Sequence, residues 1–253
     1  MFRLALLTLL LVVAPFALRA QSPATSEPVV ISTDRPSVAN SSVVVPLGGF
    51  QVENGLLFTN AQGQNTLDLP ETYFRYGLLD KTELRLAVPD YYHNFSAASG
   101  FGDLALGAKQ QLGPLYGFNL SAIWFLSFPT GANAISSHGY DPGLQLPWSR
   151  ALSRDWTLAG QVAFYWPTQG ARRNFTPETT LYFDRQLTKP WDAFIEYAGD
   201  FPERGGSRQL LHVGTAYKLA PHHQIDFHFA CGLSDAAPRA YVGFGYSFLF
   251  LTR

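Results

Sequence analysis

Phe118-Asn119-Leu120-Ser121-Ala122-Ile123-Trp124-Phe125-Leu126-Ser127-Phe128 is the stretch that decides the fold. Phe118, Leu120, Ala122, Trp124, Leu126 and Phe128 alternate with Asn119, Ser121 and Ser127, although Ile123 and Phe125 break the polar series. Successive side chains of a β-strand point to opposite faces, so a period of two marks a sheet with one greasy and one wet side. The same alternation recurs in twelve stretches between Phe50 and Phe250. Phe50, Val52, Leu56 and Phe58 stand against Gln51, Glu53, Gly55 and Thr59; Ile225, Phe227 and Phe229 stand against Asp226 and His228. A chain built almost wholly of such strands predicts an all-β fold: an antiparallel transmembrane β-barrel of about twelve strands, with lipid outside and a polar lumen inside.

The connections support this reading independently. Leu79-Asp80-Lys81, Gly113-Pro114-Leu115, Thr188-Lys189-Pro190 and Ala220-Pro221-His222 are tight. Residues 91–100, 129–138, 167–173 and 201–207 make longer links. Bacterial barrels have short periplasmic turns and longer external loops, so the alternation predicts an even strand count with both barrel ends periplasmic. Pro142, Pro147 and Pro177 fall inside predicted strands six and eight. Proline cannot donate to a ladder, so those two strands are expected to be irregular or short.

Composition agrees. Charged residues make up 15 %, equal to the aromatic share, where a soluble domain carries about 25 % charged residues. A formal charge of −1 offers nucleic acid no electrostatic footing. The lone Cys231 falls on an apolar face and reads as a small hydrophobe. Residues 1–20 read as an export signal peptide: Arg3 supplies the positive start, 4–16 the apolar stretch and Ala20 the small residue before the cut. The domain reading is therefore a signal peptide (1–20), an N-terminal periplasmic arm or plug (21–47) and an outer-membrane barrel (48–253). The arm is rich in Ser, Thr and Pro, and its charged pair Asp34-Arg35 makes it a possible plug.

The inward positions collect the candidate lumen-lining residues Glu53, Glu71, Arg75, Glu83, Arg85, Asp103, Lys109, Glu178, Glu196, His212, Asp226 and His228. Twelve strands fall between the side-chain-filled eight-strand barrel and the open sixteen-strand porin. The set therefore reads either as a polar network holding the barrel together or as a path for a small solute. His212 and His228 are expected to sit opposite each other across a turn centred on Ala220. With no further ligands at clear spacing, no metal and no cofactor is expected. No G-x-S-x-G elbow occurs, and His93 and His138 lie in predicted external loops near Asp90 and Asp141, so no catalytic residue is assigned.

Several segments resemble a family of outer-membrane proteins, the meta-pathway phenol-degradation family, whose members are described as transporters. They are Thr33-Asp34-Arg35-Pro36, the run from Val45 to Gly55, Gly102-Asp103-Leu104-Ala105-Leu106-Gly107-Ala108-Lys109, Phe128-Pro129-Thr130-Gly131 and Pro142-Gly143-Leu144-Gln145. The resemblance implies a barrel for uptake of small hydrophobic or aromatic compounds. Its partners would be outer-membrane lipid, a small-molecule solute and the barrel-assembly machinery. The chain departs from outer-membrane barrels at its end, where Phe250 is followed by Leu251-Thr252-Arg253 and not by a terminal aromatic. The alternatives are a structural or adhesive barrel with a filled lumen, and an outer-membrane hydrolase.

Overall fold

A computed structural model describes residues 29–251. The proposed signal peptide lies outside the described residues, as does the arm before residue 29. No helix occurs among the described residues. In chain order the strands are β1 (Gly49–Ala61), β2 (Gln64–Leu69), β3 (Tyr73–Leu79), β4 (Thr82–Ala87), β5 (Tyr91–Asn94) and β6 (Gly100–Phe101). Then come β7 (Leu104–Gln111), β8 (Asn119–Phe128), β9 (Asp141–Ala151), β10 (Trp156–Tyr165), β11 (Thr168–Gln169) and β12 (Arg172–Arg173). The last are β13 (Thr176–Thr188), β14 (Trp191–Asp200), β15 (Arg208–Ala220), β16 (His223–Gly232) and β17 (Ala240–Leu251).

Twelve of these close into one antiparallel barrel, in the order β1-β3-β4-β7-β8-β9-β10-β13-β14-β15-β16-β17. Closure is made by β1 against β17, from Gly49↔Leu251 to Asn60↔Ala240. It leaves the barrel no open edge, as hydrocarbon requires, because no water is there to satisfy a free ladder. The count and the antiparallel pairing match the expectation from alternation.

The wall is inside out relative to a soluble protein. Ile195, Val213, Phe227, Phe229 and Phe244 are exposed on the outer face, while Gln51, Arg75, Lys109, Gln161 and His212 are buried within. Val213↔Phe229 and Phe227↔Phe244 are cross-strand neighbours on this greasy surface. An arginine on the lipid face of such a barrel costs about 2–4 kcal/mol at the midplane. Ile195→Arg is therefore expected to lower the folding free energy into liposomes by about that amount, while Phe194→Tyr, on the inner face, changes it far less. Equal losses from both, measured by denaturant titration of the heat-modifiable band, would mean that the faces are wrongly assigned.

Three features differ from the sequence reading. The segment 91–100, expected as a plain external loop, carries β5 and β6, which with β2 extend the sheet above β3, β4 and β7. The strands on this side are broken at Pro70–Thr72, Val88–Asp90 and Gly102–Asp103, and the backbone bridges the breaks by Val88 N–H to Thr72 O and Gly102 N–H to Asp90 O. Second, the proline-bearing strands are not short, β9 spanning 11 residues and β13 spanning 13, although β9 is irregular at Pro147 as expected. Pro142 and Pro177 each occupy the second position of a strand, where one lost donor interrupts little. Pro147 is buried on the lumen side, and pairing of β8 with β9 skips from Leu120↔Trp148 to Ile123↔Gln145. Third, the turn between β15 and β16 pairs Gly214 with His228 and His212 with Ala230. The two histidines are therefore diagonal neighbours, not opposite ones, because the turn is made by Pro221-His222, beyond Ala220, which itself pairs with His223.

Candidate functional site

From Ile31 on, the described part of the arm runs inside the barrel. It enters at the end that carries the tight turns, where Ile31 N–H donates to the Pro221 carbonyl at 2.8 Å. It leaves beside the same end, where Gly49 N–H donates to the Pro46 carbonyl at 2.8 Å. Ile31 and Val45 bury together against Leu249 there, a small apolar clasp at the root of the hairpin. Between those points it has no strand partner, so its backbone donors need acceptors from elsewhere. The wall supplies carboxylates. Glu53 accepts from the amides of Asp34 and Arg35, Glu196 from those of Val38 and Ala39, and Glu83 from that of Val45. Asn40 bonds Gln161 and Gln145, while Ser42 bonds Ser149 and its carbonyl accepts from Ser121.

Two charges of the arm are matched to two sides of the wall. Asp34 faces Arg85 at 2.5 Å, Lys109 at 3.1 Å and Arg75 at 3.4 Å. Glu83 touches the same three cations, at 3.0, 3.5 and 2.9 Å, and Glu53 pairs with Arg75 at 2.7 Å. Three cations thus meet three carboxylates, one of them brought by the arm. Arg35 turns the other way, to Glu71 at 2.6 Å and Asp226 at 3.3 Å. Glu71 holds φ at +46°, a left-handed backbone that costs a non-glycine residue about 1–3 kcal/mol; the bend follows Pro70 and aims the carboxylate into the lumen.

The candidate lumen residues fall into three groups. Glu53, Glu71, Arg75, Glu83, Arg85, Lys109, Asp226 and Glu196 touch the arm directly. His212 donates or accepts at Glu196 Oε2 (2.7 Å) and meets His228 at 3.0 Å, so that these three form one buried chain. Two facing ring nitrogens are spent on each other. Among the described residues no group of three or more His, Cys, Asp or Glu side chains is placed to hold a metal. Glu178 lies apart, with Gln161 at 3.1 Å and Tyr165 at 3.3 Å.

Asp103 departs from the expectation. It lies between β6 and β7, and its carboxylate accepts from the amides of Gly131 and Ser137 at 2.9 Å each. It pins the loop 129–140, which strand alternation could not reveal, because the residue sits beyond the strand. Partial burial pushes its carboxyl up, but the Ser137 and Gly131 amides with the neighbouring serine hydroxyls outweigh that and hold it below the ordinary aspartate value. A depressed pKa contributes stability that is present above the unfolded value and is lost as pH falls through the folded one. The loop should therefore stay protease-resistant at neutral pH and become cleavable only below the ordinary aspartate range. Asp103→Asn should be cleaved equally at every pH; a wild-type loop cut as fast as the Asp103→Asn loop at pH 7 would contradict the assignment.

Sequence reasoning missed Gln51, Gln145, Gln161, Ser121 and Gln224, the uncharged residues that bind the arm. Gln224 donates to Thr33 Oγ1 at 2.7 Å and Gln51 to the Ser32 carbonyl at 2.9 Å. Their signal was present as polar residues at inward positions. The two loop histidines and Asp141 have other partners. His93 packs edge-on against Phe95, His138 bonds the Asn133 carbonyl, and Asp141 is taken up by Thr168 and Arg173.

A family model described as "Putative MetA-pathway of phenol degradation" matches residues 33–250, from the arm's Thr33 to the last outward aromatic of β17. The chain belongs to this family. Solved structures share the family barrel's fold. The COG4313 outer membrane channel from Pseudomonas putida F1 superposes with a TM-score of 0.59 at 15 % identity, over 83 % of this chain and 98 % of that one. The NanC porin gives 0.56 at 8 % identity, over 79 % and 98 %, and the KdgM porin 0.53 at 11 %, over 79 % and 99 %. At these identities the likeness is one of fold, that of an outer-membrane β-barrel. Comparison with curated proteins gives no match.

Proposed function

We propose that the protein is a passive outer-membrane channel for small hydrophobic or aromatic compounds, with residues 21–47 as its gate. The observation that carries the reading is the manner of the arm's attachment. Its described residues, 29–47, join no sheet and are held in the lumen by side-chain carboxylates and ion pairs, contacts that can be made and broken without unfolding the wall. Polar cavities lie on either side of it. One of about 290 Å³ faces the periplasmic turns, lined by Asp184, Asp192 and Lys218 among others. Another of about 270 Å³ opens above Arg35 beside Glu71 and Asp90.

Support for the cargo class is the family; the vestibule of about 320 Å³ above the lumen is mixed, with Phe125, Tyr165, Pro142 and Pro167 beside Asp141, Asp200 and Arg208. Its volume exceeds the roughly 150 Å³ of a cavity that holds benzene, so it has room for one ring-sized solute. Diffusion needs no catalytic residue, and none is assigned. A structural barrel is the second reading, favoured by the same network that fills the mid-lumen. Conductance of the purified, heat-modifiable barrel in a planar bilayer separates the two. Discrete steps that grow on deleting residues 21–47 are expected of a gated channel. Silence from both forms, with folding confirmed, would leave the structural barrel. A hydrolase would instead show turnover that vanishes on replacing His93 or His138.

A further inference from the structure

The seat of Arg35 is built more specifically than a plug needs. Gly55 of β1 and Gly245 of β17 face each other across the barrel seam as cross-strand partners. A Cβ built on Gly55 would overlap the guanidinium carbon, Nη1 and the Glu71 carboxylate; one built on Gly245 would overlap Nε and the Asp226 carboxylate. The two missing side chains therefore make a flat floor on which the guanidinium lies. Acceptors stand around it: Glu71 at Nη1 (2.6 Å), and Asp226 (3.3 Å) and the Phe244 carbonyl (3.2 Å) at Nη2. No other residue type presents this shape, since an ammonium would meet one carboxylate and leave the floor uncovered.

Two further facts separate the seat from its present occupant. Nε of Arg35 and Oδ2 of Asp226 are buried and lack a hydrogen-bond partner among the described residues. The tether fixes how the guanidinium lies, and a free one could turn to use both carboxylate oxygens. The seat is also reachable: the cavity of about 270 Å³ beside it opens onto Arg35 and Glu71. Without the arm it would present two carboxylates and no cation to balance them.

We propose that Gly55, Gly245, Glu71 and Asp226 form a recognition socket for a planar guanidinium-type monocation, that Arg35 is its tethered occupant, and that a free guanidinium compound competes with the arm for it. The competition rests on the gating reading; the socket does not. The Arg35→Ala barrel, purified and folded, would be titrated calorimetrically with ethylguanidinium and separately with ethylammonium. Saturable binding of ethylguanidinium is expected, at least tenfold tighter than that of ethylammonium. It should weaken at least tenfold in Arg35→Ala/Gly245→Val, where the floor is filled, and in Arg35→Ala/Asp226→Asn, which keeps the floor in case the valine variant fails to fold. Equal binding of the two probes, or binding indifferent to Asp226→Asn, would overturn the socket. In wild type, ethylguanidinium should raise conductance while ethylammonium at the same ionic strength does not. If the Arg35→Ala barrel binds the probe but arm deletion leaves the bilayer silent, the socket stands and the gate fails. If deletion opens the pore but no probe binds, the gate stands and the socket fails.

Discussion

Replacing Asp34 with alanine is expected to release the arm while leaving the barrel closed. Asp34 is the one carboxylate that the arm lends to Arg75, Arg85 and Lys109. Without it, three buried cations face only Glu53 and Glu83. Removing one partner from a buried ionic cluster costs about 3–5 kcal/mol, because the remaining charges have lost water and gained nothing in return. The residue belongs to the arm and not to the ladder, so the cost falls on docking: the undocked form, in which water can reach the cations, becomes favoured. At 1.4 kcal/mol per tenfold, the docked-to-free ratio should fall by about 10² to 10³ or more. The readout is protease cleavage within residues 29–47, set against the thermal midpoint of the heat-modifiable barrel. Cleavage should rise steeply with little change in the midpoint. Wild-type cleavage in a folded Asp34→Ala barrel would mean that the arm is held by its amide bonds to Glu53, Glu196 and Glu83 alone. Asp34→Ala combined with Lys109→Met removes one charge of each sign, so its effect should be smaller than the sum of the two, as expected of residues sharing one network.

Glu83→Leu should have the largest effect on the wall itself. Glu83 is fully buried, touches Arg75, Arg85 and Lys109, and accepts the Val45 amide at 2.7 Å where the arm leaves the lumen. Leucine fills the space but leaves three cations on adjacent strands β3, β4 and β7 with one fewer carboxylate and orphans a backbone donor. A loss of about 3–5 kcal/mol is expected for the uncompensated charge, and about 1–3 kcal/mol more for the unpaired amide if the arm stays docked. Glu83→Gln keeps the acceptor and so should lose only the ionic part. Denaturant midpoints of the refolded barrels would rank wild type above Gln above Leu. A Leu variant within about 1 kcal/mol of wild type would show that Glu53 and Asp34 suffice for the three cations.

The two experiments probe parts of the molecule that differ in how visible they are in the chain. The wall was legible because facing is a local property: whether Leu120 or Ser121 meets lipid follows from the pleat, two residues at a time. An even strand count followed from the alternation of tight and long links. Inward Arg75, Glu83, Arg85 and Lys109 were likewise read from their places in β3, β4 and β7, and Asp34 and Arg35 stood out as the only charges in the described arm.

Pairing and register were not legible. His212 and His228 miss direct opposition because the β15–β16 turn lies at Pro221-His222 and not at Ala220, which sets the whole ladder one step on. Asp103 is engaged by the loop 129–140 because β7 begins at Leu104, one residue later than the alternation suggests. The sequence by itself determined which residues face lipid and which face the lumen, since that depends only on neighbours along the chain. Tertiary structure alone decided that Phe50 meets Phe250 to close the barrel, that Asp34 reaches Lys109 and Arg35 reaches Asp226, and that Gly55 and Gly245 leave a flat seat between them. Those contacts join residues far apart in sequence, and no local pattern encodes them until the barrel's curvature brings the inner faces within ångströms of the arm.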